Sequence, residues 1–272
     1  MWNEDKNVEQ TDRKETVVQK RVMAVAAHPD DIEFTMSGTL MLLGDAGYEM
    51  HYMNIANGCC GSVTMNREET IAVRTNEAAL AAALVGAVFH PPYVDDIDVL
   101  YNQPLIRKLC AVVREVQPEI LLLPSPQDYM EDHMNASRLM VTAAFCRNMP
   151  NYMTDPHIDA VDTEMCVYHA MPMGLCDQLR NSIAPEIFVD VSDVIDRKRA
   201  MLSCHKSQKD WLDESQGHDN YVHLMDDMAS QVGKLSGKFK YSEGWRKHLH
   251  LGFGSSDFDP LADVLSKYIY TK

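Results

Sequence analysis

The chain has 272 residues, of which 46% are apolar, enough to bury a sizeable core. Its net charge of −15 argues against nucleic acid, which needs clustered Lys and Arg, and no basic run offers itself to an anionic membrane surface. No apolar stretch approaches the length of a membrane helix. The seven cysteines show no CxxC spacing and read as reduced thiols of a cytoplasmic protein.

The first twenty residues, 1–20, are charged throughout with no apolar h-region, which reads as a solvated arm rather than a signal peptide. The run Arg21 to Ala27, apolar on both faces, predicts a central parallel strand that ends in His28-Pro29-Asp30-Asp31. Helices are predicted over Ser37 to Ala46 and over Asn66 to Val85, with a strand from Glu49 to Ala56 between them. A third strand is predicted near Val88 to His90. Asn102 as N-cap and Pro104 in the first turn open a helix to about Val116. Glu119 to Pro124 reads as a fourth buried strand, and a loop from Ser125 to Asp132 leads into a helix from His133 to Arg147. Strands follow around Met165 to Ala170 and Glu186 to Val191. Ser192 starts a helix towards His205, and two more helices are predicted over Tyr221 to Val232 and after Pro260. Alternation of strand and helix predicts an α/β fold, a mostly parallel, doubly wound sheet flanked by helices, with 21–272 as a single domain.

Two loops carry the chemistry. His28-Pro29-Asp30-Asp31 directly follows the first strand, where open parallel sheets gather their ligands. One imidazole and two carboxylates there suit zinc or another divalent metal. Asp128-Tyr129-Met130-Glu131-Asp132-His133 leaves the carboxyl end of the fourth strand and can face the same cleft. His28, Asp31 and His133 then supply three ligands and leave a coordination position for water, as a catalytic zinc requires. Asp30 is placed to take that water's proton.

The stretch Ala27 to Glu33 with Ser37-Gly38-Thr39 resembles the signature of the PIG-L/LmbE family of zinc-dependent N-deacetylases. Asp132-His133 is similar to that family's second metal motif, and Arg74 to Ala79 to its helix bearing a substrate-binding arginine. His205 to Gln208 and Tyr241 to Arg246 resemble further landmarks, so the likeness runs from about Val22 to Trp245. It implies a Rossmann-like fold, a Zn2+ cofactor on His28, Asp31 and His133, and Asp30 as general base. It also implies an outer role for Asp132, a grip on substrate hydroxyls by Arg74 with Asp95 or Asp96, an N-acetylglucosaminyl-type substrate, and a homo-oligomer. One departure stands out: the family often has a histidine three residues before the metal-binding one, and here Met130 occupies that place and can donate no proton. Asp30, Tyr129 and His205 remain as candidate acids. Cys59-Cys60, lacking a local base, reads as a small-residue loop near the substrate rather than a nucleophile. Competing readings are an amidase of a sugar–thiol conjugate and a metal- and sugar-binding protein without catalysis.

Overall fold

The computed structural model describes residues 19–209 and 221–272. The arm expected over 1–20 lies outside the described residues apart from Gln19 and Lys20. Eight strands form one sheet in the order β3-β2-β1-β4-β5-β7-β6-β8. They are β1 (Arg21–Ala26), β2 (Glu49–Asn54), β3 (Val88–His90), β4 (Ile120–Leu123), β5 (Cys166–Ala170), β6 (Ile187–Asp190), β7 (Ser242–Lys247) and β8 (Ile269–Thr271).

The central strand earns its position from its residues. Val22, Ala24 and Ala26 point into one apolar layer with Tyr52 and Leu122, while Met23, Val25 and Ala27 point into the other with Leu121 and Leu123. Side chains alternate across a strand, so a run apolar at every position needs cover on both faces. Helices supply it: α1 (Asp31–Thr35), α2 (Ser37–Asp45), α3 (Arg67–Leu84), α4 (Gln103–Val116), α5 (Glu131–Phe145), α6 (Ile195–Leu202), α7 (Tyr221–Ser236) and α8 (Pro260–Val264). Local chemistry fixes several starts. Asn66 and Glu69 make a reciprocal capping box on α3. Asn102 accepts from Leu105 N at the start of α4, with Pro104 in the first turn.

Strands β3-β2-β1-β4-β5 pair in parallel, as expected. The far side differs, because β5 pairs antiparallel with β7, and β6 antiparallel with both β7 and β8. The sheet is therefore mixed, and its strands β7 and β8 are not among the strands predicted from the sequence. Strand β7 reads Ser-Glu-Gly-Trp-Arg-Lys, with no apolar run to announce it. Its burial has a different basis. The Glu243 carboxylate accepts from Gly38 N at 2.8 Å and Thr39 N at 2.7 Å at the buried N-terminal end of α2, where the helix dipole favours an anion. Lys198 Nζ on α6 neutralises it at 2.5 Å, and Trp245 Nε1 donates to Thr39 Oγ1 at 3.0 Å. Gly38 is required there, since a Cβ would stand 2.5 Å from Val191 Cγ1. These contacts lock the helix after the first loop onto the sheet.

From β1 the chain winds outward to β2 and β3, and from β4 it winds the other way to β5. The crevice at such a reversal lies at the carboxyl ends of the two adjoining strands. Both chemistry-bearing loops leave from those two strands.

Candidate active site

The turn after β1 is held from three sides. His28 N donates to Asp31 Oδ2 at 2.7 Å, Asn54 Nδ2 at the end of β2 donates to the His28 carbonyl at 2.6 Å, and Arg74 Nη2 on α3 donates to the Pro29 carbonyl at 2.6 Å. Asp30 takes a left-handed backbone with φ 103°, an uncommon state for a residue with a side chain. That conformation turns its carboxylate inward against Arg74 Nη2 at 3.4 Å, while the Tyr221 hydroxyl on α7 donates to the same oxygen.

The second loop comes to meet it. The His28 and His133 rings lie 5.5 Å apart, although 105 positions separate them in the chain (133 − 28). His28 Nδ1 and His133 Nε2 each stand 3.4 Å from an Asp31 carboxylate oxygen. One ligand atom from each of His28, Asp31 and His133 falls within 4.8 Å of the others, compact enough to share one cation. Each imidazole is gripped from behind. His28 Nε2 donates to Asp132 Oδ2 at 2.9 Å, and His133 Nδ1 donates to Asp128 Oδ1 at 2.9 Å. These bonds leave the lone pairs of His28 Nδ1 and His133 Nε2 turned towards Asp31, the arrangement metal-binding histidines use. The carboxylates are themselves fixed: Asp132 accepts from Ile97 N at 2.7 Å and Asp128 from Met130 N at 3.0 Å.

The donor set of two imidazoles and one carboxylate fits zinc or a similar divalent ion. Its electrostatics point the same way. Burial by itself depresses the His28 imidazole, but bonds to Asp132 and Asp31 and the Asp31 charge outweigh it and lift it to about 9. His133 is likewise raised well above its ordinary value, because the Asp31 charge and the Asp128 bond overcome burial. Asp31 is held well below the carboxylate range: burial opposes this, but His133 and His28 prevail. The pocket thus concentrates negative potential at the cation position. Asp30 differs from its neighbour. Burial pushes its carboxyl up to about 6, aided by the Asp31 charge and opposed by Arg74, His205 and the Tyr221 hydroxyl.

A cavity of about 720 Å³ opens over these groups. Arg74, Asp96, Tyr129, Met130, Gln208 and Tyr221 all line it. Arg74 also braces the scaffold, since its guanidinium donates to the carbonyls of Pro29 and Gly58. Loop 57–61 packs directly on that guanidinium, and a Cβ on Gly61 would stand 2.4 Å from Arg74 Nη1. Asp95 is not among the lining residues. Its carboxylate accepts from Asn57 Nδ2 at 2.6 Å and pairs with Arg67, whereas its neighbour Asp96 faces the cavity. His205 sits behind the site, paired with the buried Glu33 at 3.1 Å. Burial, with the charges of Asp96 and Cys60, pushes the Cys59 thiol up to about 11, the opposite of an activated nucleophile.

Two residues here were not singled out from the sequence. Asp128 had a signal, a carboxylate five positions ahead of the ligand histidine in a loop entering a helix. Tyr221 had none, because it belongs to no motif and reaches Asp30 only through tertiary packing.

Residues 23–144 match the family described as PIG-L: GlcNAc-PI de-N-acetylase. That matched stretch, just under half of the chain, resembles the PIG-L family. The chain is 27% identical over 233 residues to the diacetylchitobiose deacetylase of Thermococcus kodakarensis, covering 84% of this chain and 82% of that one. It is also 26% identical over 199 residues to the 4-oxalmesaconate hydratase of Pseudomonas putida, covering 70% of this chain and 75% of the relative. In structure it resembles the N,N'-diacetylchitobiose deacetylase of Pyrococcus horikoshii, with a TM-score of 0.70 at 22% identity over 89% of this chain and 88% of that one. The PIG-L match spans β1 to α5 and so contains both metal-facing loops; Tyr221, Glu243 and His205 lie beyond it.

Proposed function

We propose that this protein is a metal-dependent deacetylase of the PIG-L type that hydrolyses the N-acetyl group of an amino sugar of the N-acetylglucosaminyl type. The observation that carries the reading is the convergence of His28 Nδ1, Asp31 and His133 Nε2 beside a buried carboxylate, Asp30, at the floor of one cavity. The substrate class follows from the family and from the diacetylchitobiose deacetylase among its relatives.

His28, Asp31 and His133 hold the cation, with zinc as the best match to the donor set. A divalent cation there supplies Lewis acidity, acidifying a water and polarising an amide carbonyl. Asp132 and Asp128 keep the two imidazoles in the ligating tautomer. Asp30, with a pKa near 6, accepts the proton of the attacking water and is then able to pass it to the departing amine nitrogen. Tyr221 and Arg74 orient Asp30 by binding one of its oxygens, which leaves the other free to face the water. Arg74 and Asp96 face the cavity and bind sugar hydroxyls.

The test is amine release from N-acetylglucosamine and N,N'-diacetylchitobiose, with and without chelator, for the wild type and Asp30→Asn. Metal-dependent release by the wild type, lost in a variant that still binds metal, is the expected result. Bound sugar without product would leave a binding protein instead. Because a hydratase is also among the relatives, a metal-loaded protein inert on both sugars would shift the reading to water addition across an activated double bond, which the same cation and base could serve.

A further inference from the structure

We propose that Cys59, Cys60 and Asp96 form a second cation site, selective for zinc and similar thiophilic divalent ions, in the wall of the substrate cavity. One ligand atom from each of the three lies within 4.8 Å of the others, a cluster separate from His28, Asp31 and His133. The decisive distance is between the sulfurs. Cys59 Sγ and Cys60 Sγ stand 3.8 Å apart. Two zinc–sulfur bonds of about 2.3 Å meeting at the tetrahedral angle span about 3.8 Å, so the thiols already hold the spacing that zinc demands. A disulfide needs a separation of about 2.05 Å, so at 3.8 Å the two sulfurs are unbonded thiols.

Sequence neighbours rarely direct two side chains at one point, and the facing segment explains why these do. Asp96 Oδ1 accepts from Gly58 N at 2.7 Å and Oδ2 accepts from Cys60 N at 2.9 Å. Asn57 Oδ1 accepts from Cys59 N at 3.1 Å, and Asn57 N donates to the Val94 carbonyl at 3.0 Å. The loop is thereby wrapped around the Asp96 carboxylate, with both thiols on the same side. Each Asp96 oxygen uses one lone pair on the backbone and keeps another for a cation. The nearby cation Arg67 is engaged by Asp95 and is not directed at the thiols. Cys60 is exposed and lines the cavity together with Asp96 and Gly61, so an ion can enter from solvent.

Chemistry separates the two sites. The first offers nitrogen and oxygen donors, whereas the second offers two sulfurs and one oxygen, a set that favours thiophilic metals over magnesium, calcium or manganese. Binding exchanges one Zn2+ for the two thiol protons, which pass to solvent. Occupancy places bulk beside Gly61 and Arg74 at the cavity wall without changing the net charge there, so it competes with substrate rather than with the catalytic cation.

The test uses the full chain kept reduced, with Co2+ as the spectroscopic probe and Zn2+ counted by native mass spectrometry. The wild type is expected to show a near-ultraviolet sulfur-to-cobalt charge-transfer band that Zn2+ displaces, and to hold two zinc ions. Cys59→Ser/Cys60→Ser is expected to lose the band and one zinc, while His133→Ala keeps the band and loses the other. Asp96→Asn, which spares both sulfurs, keeps the band but requires more cobalt. No band in the wild type, a band surviving in the double variant, or an oxidised cysteine pair under reductant would overturn the proposal. If the band appears with a single zinc that depends only on the cysteines, the dithiol site stands and the reading of the His28 cluster fails.

Discussion

Replacing Asp128 by Asn tests whether the site is built for a cation. Asp128 Oδ1 accepts from His133 Nδ1 at 2.9 Å and from Met130 N at 3.0 Å. Asparagine has nearly the same shape and can keep both acceptor contacts, but it removes the charge that makes the bond to His133 strong. A charge-assisted bond contributes about 1.5–3 kcal/mol against roughly 1 kcal/mol for a neutral one. The difference, about 0.5–2 kcal/mol, corresponds to a roughly two- to thirtyfold loss of zinc affinity, reaching at its upper end the range of about ten- to a hundredfold seen when such outer carboxylates are altered. Asp128→Ala goes further, because it strands both donors. Competition with a chromophoric chelator measures the Kd, and activity at saturating zinc is expected to return close to that of the wild type. Asp45→Asn, a surface change in the pair with Arg197, is the control and leaves the Kd alone. An Asp128→Asn protein with undiminished zinc affinity would refute the argument, and so would one whose lost activity zinc cannot restore.

Other consequences follow from the same contacts. Tyr221→Phe removes a donor to the Asp30 carboxylate and is expected to lower kcat ten- to a hundredfold, about 1.5–3 kcal/mol, without weakening zinc; an unchanged kcat would free Tyr221 of that role. Glu243→Gln leaves Lys198 charged and fully buried without a counter-charge, so urea titration is expected to show a loss of about 3–5 kcal/mol, and a loss below about 1 kcal/mol would contradict the ion-pair account. Burial holds His169 at about 4, below its ordinary 6.5. As pH falls through 6.5 the unfolded chain takes up a proton that the folded imidazole refuses, so stability present above pH 6.5 declines towards pH 4, by about 2 kcal/mol at pH 5. Urea midpoints at pH 7 and pH 5 are expected to differ less for His169→Gln than for the wild type, and equal differences would exclude His169 as a source.

What could be read in the sequence was whatever is local or periodic. Strand β1 declares itself through six consecutive residues that need cover on both faces, and α3 and α4 through Asn caps whose bonds need only neighbouring residues. The two metal-facing loops were legible for a topological reason, since each follows a buried strand that ends in side chains with no business in a core. Strand β7 was not legible, because its burial rests on Glu243 reaching α2 and Lys198, partners 205 and 45 positions away. Asp95 and Asp96 show another limit. Composition makes them equivalent, but Arg67 and Asn57 draw the first away and the backbone of loop 57–61 draws the second towards the cavity.

The leaving amine raises the remaining chemical question, because Met130, which lines the cavity three residues before His133, can donate no proton. His205 is engaged by Glu33 behind the cavity wall. Tyr129 meets His133 edge-on, and burial with the nearby Asp31 and Asp128 charges pushes its phenol further up, making it a poorer acid. Asp30 faces the cavity, and burial pushes its carboxyl up to about 6, which lets it accept a proton in one step and return it in the next. That economy has a measurable signature. An aryl acetate leaves as a phenolate and needs no donor, yet it still needs the attacking water deprotonated. Asp30→Asn is therefore expected to be as inert on the aryl ester as on the amide. Tyr129→Phe is expected to treat both substrates alike. If Tyr129→Phe instead lost the amide and spared the ester, the acid would be Tyr129, and Asp30 would serve only as the base.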